Sequence, residues 1–225
     1  MPSLFLAIKS TICINIASLL LFYHKTCSLC YNEKDEKRDI MIIAMVRHGQ
    51  TDFNANGIVQ GRINIPLNSK GKKQSSELAD ILIKKGEHFD VIISSPLSRA
   101  LETSYIIAKK MDYHKPIRVN HQFVERDFFH LDGLPVGDAM PLVRQKDYQY
   151  EGYENDRLLI NRVVNATFKL AKTTSENKVL LVSHSHVIKA LRVYIDPSKY
   201  AFTDFVDNTH IIYFEVKDRT ISIIE

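Results

Sequence analysis

Cysteine, tryptophan and glycine-rich tracts are scarce in this sequence of 225 residues. Tryptophan is absent, and the three cysteines, Cys13, Cys27 and Cys30, all precede residue 41. A cysteine nucleophile is therefore excluded from residues 41–225. The C-x-x-C pair is isolated, and without a second pair it does not indicate a metal or redox site. The sequence also lacks a glycine-rich phosphate loop of the Walker type, internal repeats and low-complexity tracts.

The sequence also has only a small excess of charge of one sign. The formal net charge is +4, and basic residues alternate with acidic neighbours, as in Lys72 and Lys73 with Glu77. Nucleic-acid binding requires a concentrated basic surface, so we expect no nucleic-acid partner. With 45% hydrophobic residues, the chain is long enough for one sizeable core and too short for two large domains. Whether it is a monomer or a homodimer stays open.

Residues 1–40 differ from the rest and are predicted to form an amino-terminal extension. The apolar segment Thr11–Tyr23 is interrupted by polar residues and is shorter than the roughly 20 residues that cross a bilayer. A signal peptide fits it better, but no small-residue cleavage site follows. The alternative is that Met41 is the natural start. We predict a cytoplasmic protein, with membrane association or export through the apolar segment as the alternative.

Strand and helix patterns alternate through residues 41–225. Short apolar runs predict strands, and apolar residues at helical spacing predict helices. The predicted strands are 42–46, 90–94, 117–119 and 178–183, with a terminal hairpin of 210–216 and 220–224. The predicted helices are 69–85, 97–111, 156–171 and 187–193. This order predicts an α/β protein, a three-layer α/β/α sandwich with a mostly parallel central sheet, helices on both faces and a terminal hairpin.

A histidine beside an arginine follows the first predicted strand. Arg47, His48 and Gly49 come directly after the apolar run 42–46, and open α/β sheets bind their ligands at the carboxyl ends of strands. An imidazole can attack phosphorus when neighbouring cations neutralise the oxygens, and arginine presents a planar fork to a phosphoryl group. The pair therefore indicates phosphoryl transfer through a phosphohistidine.

Three further segments extend this pattern along the chain. The first run continues as RHGQTDFN, a Gln-Gly pair and PLNSKGKKQS, and it is followed by SSPLSRALET at 94–103, FVERDF at 123–128 and VSHSHVIKAL at 182–191. In this order the segments resemble the histidine phosphatase superfamily, the phosphoglycerate-mutase-like family. The resemblance spans residues 41–216 and implies a catalytic domain at 41–225 that acts on a small phosphorylated metabolite.

The resemblance also implies roles for individual residues. His48 would attack phosphorus from a neutral ring nitrogen, while its other nitrogen needs an acceptor such as a backbone carbonyl. Gly49 would let the chain turn tightly. His184 would be the second catalytic histidine, and it would donate a hydrogen bond to the phosphate oxygens. The other expected phosphate-binding residues are Arg47, Asn54, Gln60, Gly61, Arg99 and Ser185. Because guanidinium and imidazole groups neutralise the phosphate, neither a metal nor a cofactor is expected.

Glu125 is the third expected catalytic residue, a general acid that becomes a general base. This double role calls for a pKa raised toward neutrality. We expect burial to raise it, among Phe123, Phe128 and Phe129. Two nearby carboxyl groups, Asp127 and Asp132, are alternative proton donors.

Two segments depart from the family pattern. Glu125 is not followed by the usual glycine-containing tail, and His184 is followed by Ser185 and His186 where two glycines are common. Residues 126–155 are expected to form the entire lid, so the pattern leaves the substrate open. Four histidines are interpreted as ordinary surface residues or as residues behind the site: His121, His130, His186 and His210.

The resemblance implies a metal-independent phosphomonoesterase. The alternatives are a cofactor-dependent phosphoglycerate mutase and a noncatalytic module that binds a phosphorylated ligand. Mutases carry a longer insertion after the carboxylate, which this sequence lacks. A noncatalytic module would not need the catalytic residues, whereas every catalytic position is filled here. A lid as short as 126–155 excludes water poorly, which favours hydrolysis of a phosphohistidine over its transfer to a second substrate.

Overall fold

The computed structural model describes residues 40–145 and 148–224. The predictions made for residues 1–39, including the apolar segment and the C-x-x-C pair, lie outside the described residues. In the part of the chain that the structure describes, no helix is long and apolar enough to span a membrane.

Strands and helices alternate along the described residues as expected. The first half contains β1 (Met41–Arg47), α1 (Asp52–Ala55), α2 (Ser69–Lys84), β2 (Val91–Ser94), α3 (Ser98–Lys110) and β3 (Arg118–Val119). The second half contains α4 (Val136–Val143), α5 (Asp156–Thr173), β4 (Lys178–Ser183), α6 (Ser185–Ile195), β5 (Ile211–Lys217) and β6 (Thr220–Ile224). Every predicted strand and helix is confirmed, with ends that differ by a few residues.

The described strands form one mixed sheet in the order β3-β2-β4-β1-β5-β6. The first four run parallel, and β5 and β6 add an antiparallel hairpin next to β1. The predicted fold class is therefore confirmed. In the register, Arg47 of β1 lies opposite Ser183 of β4, while Ser94 of β2 lies opposite Val182. The residues that follow these strands, His48, His184 and Ser95, consequently emerge at one edge of the sheet.

Helices cover both faces of the sheet. Successive side chains of a strand point to opposite faces, and β1 is buried on both. Ile43 and Met45 pack in a cluster with residues of α5 and α6, whereas Ala44 and Val46 pack in a second cluster with residues of α2 and α3. Burial on both faces explains why β1 reads as a continuous apolar run. This packing fixes the strand that carries His48 at its end.

The segment predicted as a lid contains a helix that the sequence pattern did not reveal. Helix α4 has eight residues and includes Gly137 and Pro141, two residue types that weaken or interrupt helices. Tertiary packing overrides these local preferences, because Ala139 is fully buried against a small cluster with Phe128 and Leu131. The lid therefore has its own core, separate from the two clusters that flank the sheet.

Candidate active site

His48 is held in one tautomer by its own neighbour. Its Nδ1 lies 2.7 Å from the Gly49 carbonyl oxygen, and because a carbonyl oxygen only accepts, Nδ1 carries the hydrogen and Nε2 keeps its lone pair. Burial, followed by the positive charge of Arg99 and by His184 and Arg47, lowers the pKa of His48 well below its ordinary value. The ring is therefore neutral at pH 7, with a free nitrogen beside a cavity.

Gly49 is required for close backbone packing. Its φ is not positive, so the expected tight turn is not the reason for a glycine. A Cβ on Gly49 would collide with the carbonyl of Gly71 in the first turn of α2, and a Cβ on Gly71 would collide with the backbone of Gln50. The Gly49 N–H donates to Thr103 Oγ1 at 3.0 Å. Helix α2 and helix α3 thus clamp the segment that follows the nucleophile candidate.

His184 lies beside His48, as the parallel pairing of β1 and β4 requires. The two ring centroids are 5.3 Å apart at an interplanar angle of 60°. His184 Nε2 lies 2.7 Å from Ser95 Oγ. Its Nδ1 is buried and has no hydrogen-bond partner among the described residues. If the Ser95 hydroxyl donates to Nε2, then Nδ1 carries the hydrogen and is a free donor. Burial and then the charge of Arg99 lower the pKa of His184 well below its ordinary value.

Arg99, in the first turn of α3 as predicted, is completely buried. Its Nη1 donates to the Ile63 carbonyl at 2.8 Å and its Nη2 to the Gly61 carbonyl at 2.7 Å. The Gln60 side-chain amide can be oriented so that both its oxygen and its nitrogen have hydrogen-bond partners. In that orientation its oxygen accepts from Arg99 Nε at 2.8 Å and its nitrogen donates to Thr51 Oγ1 at 2.5 Å. Burial lowers the pKa of Arg99 to about 10, so the group remains charged. Gln60 and Gly61, expected to donate to phosphate, are thus placed as acceptors that hold a guanidinium.

Arg47 and Asn54 border the cavity next to His48. Arg47 Nη1 donates to the Val206 carbonyl, while its Nε is buried without a partner within the described residues. Burial lowers the pKa of Arg47. The Asn54 side-chain oxygen accepts from the Thr51 backbone at 3.3 Å and from Asn208 Nδ2 at 3.4 Å. The Asn208 amide also donates to the His48 carbonyl at 3.1 Å, which ties the end of β1 to a distant loop.

Glu125 lines the same cavity and is 5% exposed. Its Oε1 accepts from the Arg126 backbone at 2.8 Å and its Oε2 from the His186 backbone at 3.4 Å. Burial raises the pKa of Glu125, but hydrogen bonding and charge from His186, the charge of His184 and the Arg126 N–H together lower it well below the ordinary value. The expected rise is therefore wrong. Phe123 and Phe128 are buried as expected, but Phe129 is 54% exposed.

The two alternative carboxyl groups are used elsewhere. Asp132 accepts from the Gly61 N–H at 2.7 Å and from the Arg62 N–H at 3.0 Å. Burial raises its pKa. Asp127 forms an ion pair with Arg62 at 3.0 Å. Neither aspartate lines the cavity, whereas Glu125 does, so of these three carboxyl groups Glu125 is the one with access to a bound substrate.

The cavity has a volume of about 730 Å³. Its floor includes Arg47, His48, Glu125 and Ser185, and residues of α4 and of the segment after α6 form its outer walls. His186 belongs to the wall, and its side chain is only 14% exposed. Of the two interpretations of His186, the ordinary surface residue is excluded by this burial, and a residue that contacts a catalytic candidate remains. Among the described residues there is no group of three or more His, Cys, Asp or Glu side chains suited to hold a metal ion.

Three residues of the site were not singled out in the sequence. Ser95 and Thr103 lie within the SSPLSRALET segment, so the segment itself was the signal for their contacts with His184 and Gly49. Asn208 lies in a stretch without strand or helix periodicity. No sequence pattern pointed to it, because its contact with His48 joins residues 160 positions apart.

Comparison with known proteins places this geometry in a family. The model of the histidine phosphatase superfamily (branch 1) matches residues 43–225, and the chain belongs to that superfamily. It is 34% identical to an uncharacterized phosphatase, PhoE, of Bacillus subtilis over 149 residues, which are 66% of this chain and 74% of that protein. It is 31% identical to a metal-independent phosphoserine phosphatase of Arabidopsis thaliana over 173 residues, 72% of each protein.

A solved structure shows the same fold. The crystal structure of phosphoglycerate mutase from Bacillus anthracis matches with a TM-score of 0.71 at 22% sequence identity. The match covers 83% of this chain and 92% of that one. The fold is thus common to proteins named as phosphatases and as mutases.

Proposed function

We propose that this chain is a phosphomonoesterase that hydrolyses small phosphorylated metabolites through a phosphohistidine on His48. The observation that carries the proposal is the Nδ1 contact with the Gly49 carbonyl, which leaves a neutral Nε2 free. The charges of Arg99 and Arg47 act on the same ring. The names of the related phosphatases from Bacillus subtilis and Arabidopsis thaliana support a phosphatase activity. We propose that neither a metal nor a cofactor takes part, because arginine and histidine donors neutralise the phosphate.

In the first step, the Nε2 lone pair of His48 attacks phosphorus and the bond to the leaving oxygen breaks. We propose that Arg47, Arg99 and His184 Nδ1 stabilise the equatorial oxygens, where negative charge spreads in a loose transition state. Ser185 lies at the amino end of α6, whose partial positive charge favours an anion. Glu125 gives its proton to the leaving oxygen, which departs as an alcohol.

In the second step, water attacks the phosphohistidine. Glu125, now a carboxylate, takes a proton from that water, and phosphate leaves with His48 neutral again. The low pKa of Glu125 in the free site means that its proton must be gained on substrate binding. A phosphate group beside Glu125 adds negative charge, which raises the pKa of the carboxyl group. Substrate binding thereby favours the protonated form of Glu125 that acts as the general acid.

Hydrolysis of p-nitrophenyl phosphate in the presence of EDTA tests the proposal. We expect phosphate release by the native chain, loss of that release in His48→Ala, and an acid-labile phosphate trapped on His48. His121→Ala is the matched control, because His121 is exposed and outside the cavity. Phosphate trapped on serine, or activity that is lost with the chelator, would contradict the mechanism.

Phosphoglycerate isomerisation is the competing activity, since a mutase shares the fold. A phosphohistidine must be shielded from water if its phosphate is to return to a bound acceptor. Between Arg126 and Asn155 the described lid contains α4, of eight residues, and one three-residue 3-10 helix. We therefore propose that hydrolysis exceeds isomerisation. The ratio of phosphate release to isomerisation of 3-phosphoglycerate measures this, and a larger rate of isomerisation would refute it.

A further inference from the structure

We propose that His186 is a positioning residue that directs the Glu125 carboxyl group toward the leaving oxygen of the substrate. The inference rests on the proposed function, in which Glu125 is the general acid. His186 occupies a position where the family pattern has a glycine, so the side chain is a feature of this chain and not of the common pattern.

Two atoms of His186 face the same carboxylate oxygen. The backbone N–H donates to Glu125 Oε2 at 3.4 Å, and the ring Nδ1 lies 3.8 Å from that oxygen, within ion-pair range and longer than a direct hydrogen bond. The other oxygen, Oε1, accepts from the Arg126 N–H at 2.8 Å. Backbone N–H groups thus bind both oxygens of the carboxyl group. Among the described residues, His186 is the one basic side chain within 4 Å of Oε2.

Aromatic packing fixes the His186 ring. The ring stacks on Phe202 with centroids 6.1 Å apart at 13° and meets Phe128 edge-on at 5.0 Å and 82°. Both neighbours line the cavity. A ring confined on two sides has few alternative rotamers, so it can hold a partner at little further cost in entropy.

The charge state of the ring suits this role. Burial lowers the pKa of His186 to about 4, against the opposing effect of Glu125, so the imidazole is neutral at pH 7. The charged groups that act on this pair include Arg126 beside Glu125, Lys189 one turn further along α6, and the guanidinium groups of Arg47 and Arg99. A lysine or arginine at position 186 would stabilise the carboxylate and oppose its protonation. A neutral ring opposes protonation of Glu125 less than a fixed positive charge would, so it can orient the carboxyl group and still let it take up a proton when a phosphate is bound.

Leaving-group dependence separates this role from a purely structural one. An alkyl phosphate releases an alkoxide that needs a proton, whereas p-nitrophenyl phosphate releases an anion that is stable without one. Since kcat/KM covers the steps up to departure of the leaving group, it isolates this protonation from the later attack of water. We expect His186→Leu to lower kcat/KM for ethyl phosphate by about tenfold, a fraction of the full effect of a general acid, and to change kcat/KM for p-nitrophenyl phosphate by much less.

A conservative variant and a control complete the test. His186→Asn places an amide N–H near the position of Nδ1 and should restore most of the activity on ethyl phosphate. His121→Leu removes an exposed histidine and should leave both substrates unaffected. An equal loss on both substrates in His186→Leu, or no loss on either, would overturn the inference. Full activity of His48→Ala would instead overturn the proposed function, so the two failures can be told apart.

Discussion

The two ends of the cavity are built in different ways. At the end that we propose binds phosphate, called the phosphate end, His48 and His184 follow paired parallel strands, and Arg99 is completely buried among backbone carbonyls. At the lid end, several residues are held by side-chain ion pairs instead of by strand pairing and backbone carbonyls. Arg162 Nε lies 2.6 Å from Glu154, and Arg126 Nη2 lies 2.5 Å from Asp156.

This difference separates what the sheet determines from what individual side chains determine. The phosphate end inherits its geometry from strand register, so a substitution there must disturb the core or a buried hydrogen bond to have an effect. The lid end can change its shape by exchanging a few ion-paired residues. We infer that phosphate chemistry and leaving-group choice can vary independently in this chain, and the following variants test that division.

Among the variants that test this division, the largest loss of activity is expected from Arg99→Met. Removal of one preorganised donor to a developing anion costs about 3 to 4 kcal/mol in the barrier, or roughly 10² to 10³ in kcat. The change also leaves the carbonyls of Gly61 and Ile63 without their donor, so the melting temperature should be recorded with kcat. Arg157→Met, at an exposed position of α5 on the lid side, is the matched control. Equal activities of the two variants would contradict the phosphate role of Arg99.

A pair of glycine substitutions contrasts the two ends in stability. Gly49→Ala would force a methyl group against the Gly71 carbonyl, and overpacking of this kind costs about 1 to 3 kcal/mol or more. Gly137→Ala, in α4 of the lid, meets no atom within 4 Å and has no positive φ. It should stabilise the helix by about 0.5 to 1 kcal/mol. Urea denaturation of both variants measures the contrast, and the same sign of change in both would refute it.

The contrast between the ends also explains how far the sequence could predict the molecule. The strand that carries His48 could be predicted from the sequence, because burial on both faces produces a continuous apolar run. Its carboxyl end could be predicted as a site because open sheets bind ligands there. Helix α4 could not be predicted from the sequence, because Gly137 and Pro141 disfavour a helix. The packing of Ala139 nevertheless stabilises it. Tertiary packing outweighs local propensity there.

Within the site, the sequence predicted positions better than it predicted electrostatics. Glu125 lines the same cavity as His48, but its pKa is lowered where a rise was expected. The largest lowering effect comes from His186, whose approach to Glu125 depends on how α6 meets the segment after Phe123. Burial of a carboxyl group could be inferred from neighbouring phenylalanines. A donor 61 positions away could not.

Acidic pH should destabilise the phosphate end. The pKa values of His48, His184 and His186 are lowered in the folded state from 6.5, so the unfolded chain binds more protons below that pH. Stability is therefore fully present above pH 6.5 and is lost as the pH falls, by about 1 kcal/mol per histidine for each pH unit. Glu125, whose pKa is also lowered, adds a loss below pH 4.5.

Denaturation at pH 7.5 and pH 5.5 measures this slope. Because His186→Asn removes one of the three groups, the loss between the two pH values should be smaller in that variant than in the native chain. A free energy of unfolding that rises on acidification would contradict the assignment of neutral buried rings.

The smallest effect is expected where the chain begins. Met41 is the first residue of β1, it is 4% exposed, and it pairs with Val216 of β5. The core clusters described here consist of residues from Met41 onward. We therefore predict that a chain starting at Met41 folds, keeps its melting temperature within a few degrees and hydrolyses p-nitrophenyl phosphate at an unchanged kcat. Starting instead at Ala44 would remove Met41 and Ile43 from the core, which should cost several kcal/mol, and it is the matched comparison. An insoluble or inactive protein starting at Met41 would show that the preceding residues contribute to the fold, and the division between a catalytic domain at 41–225 and an extension at 1–40 would then be wrong.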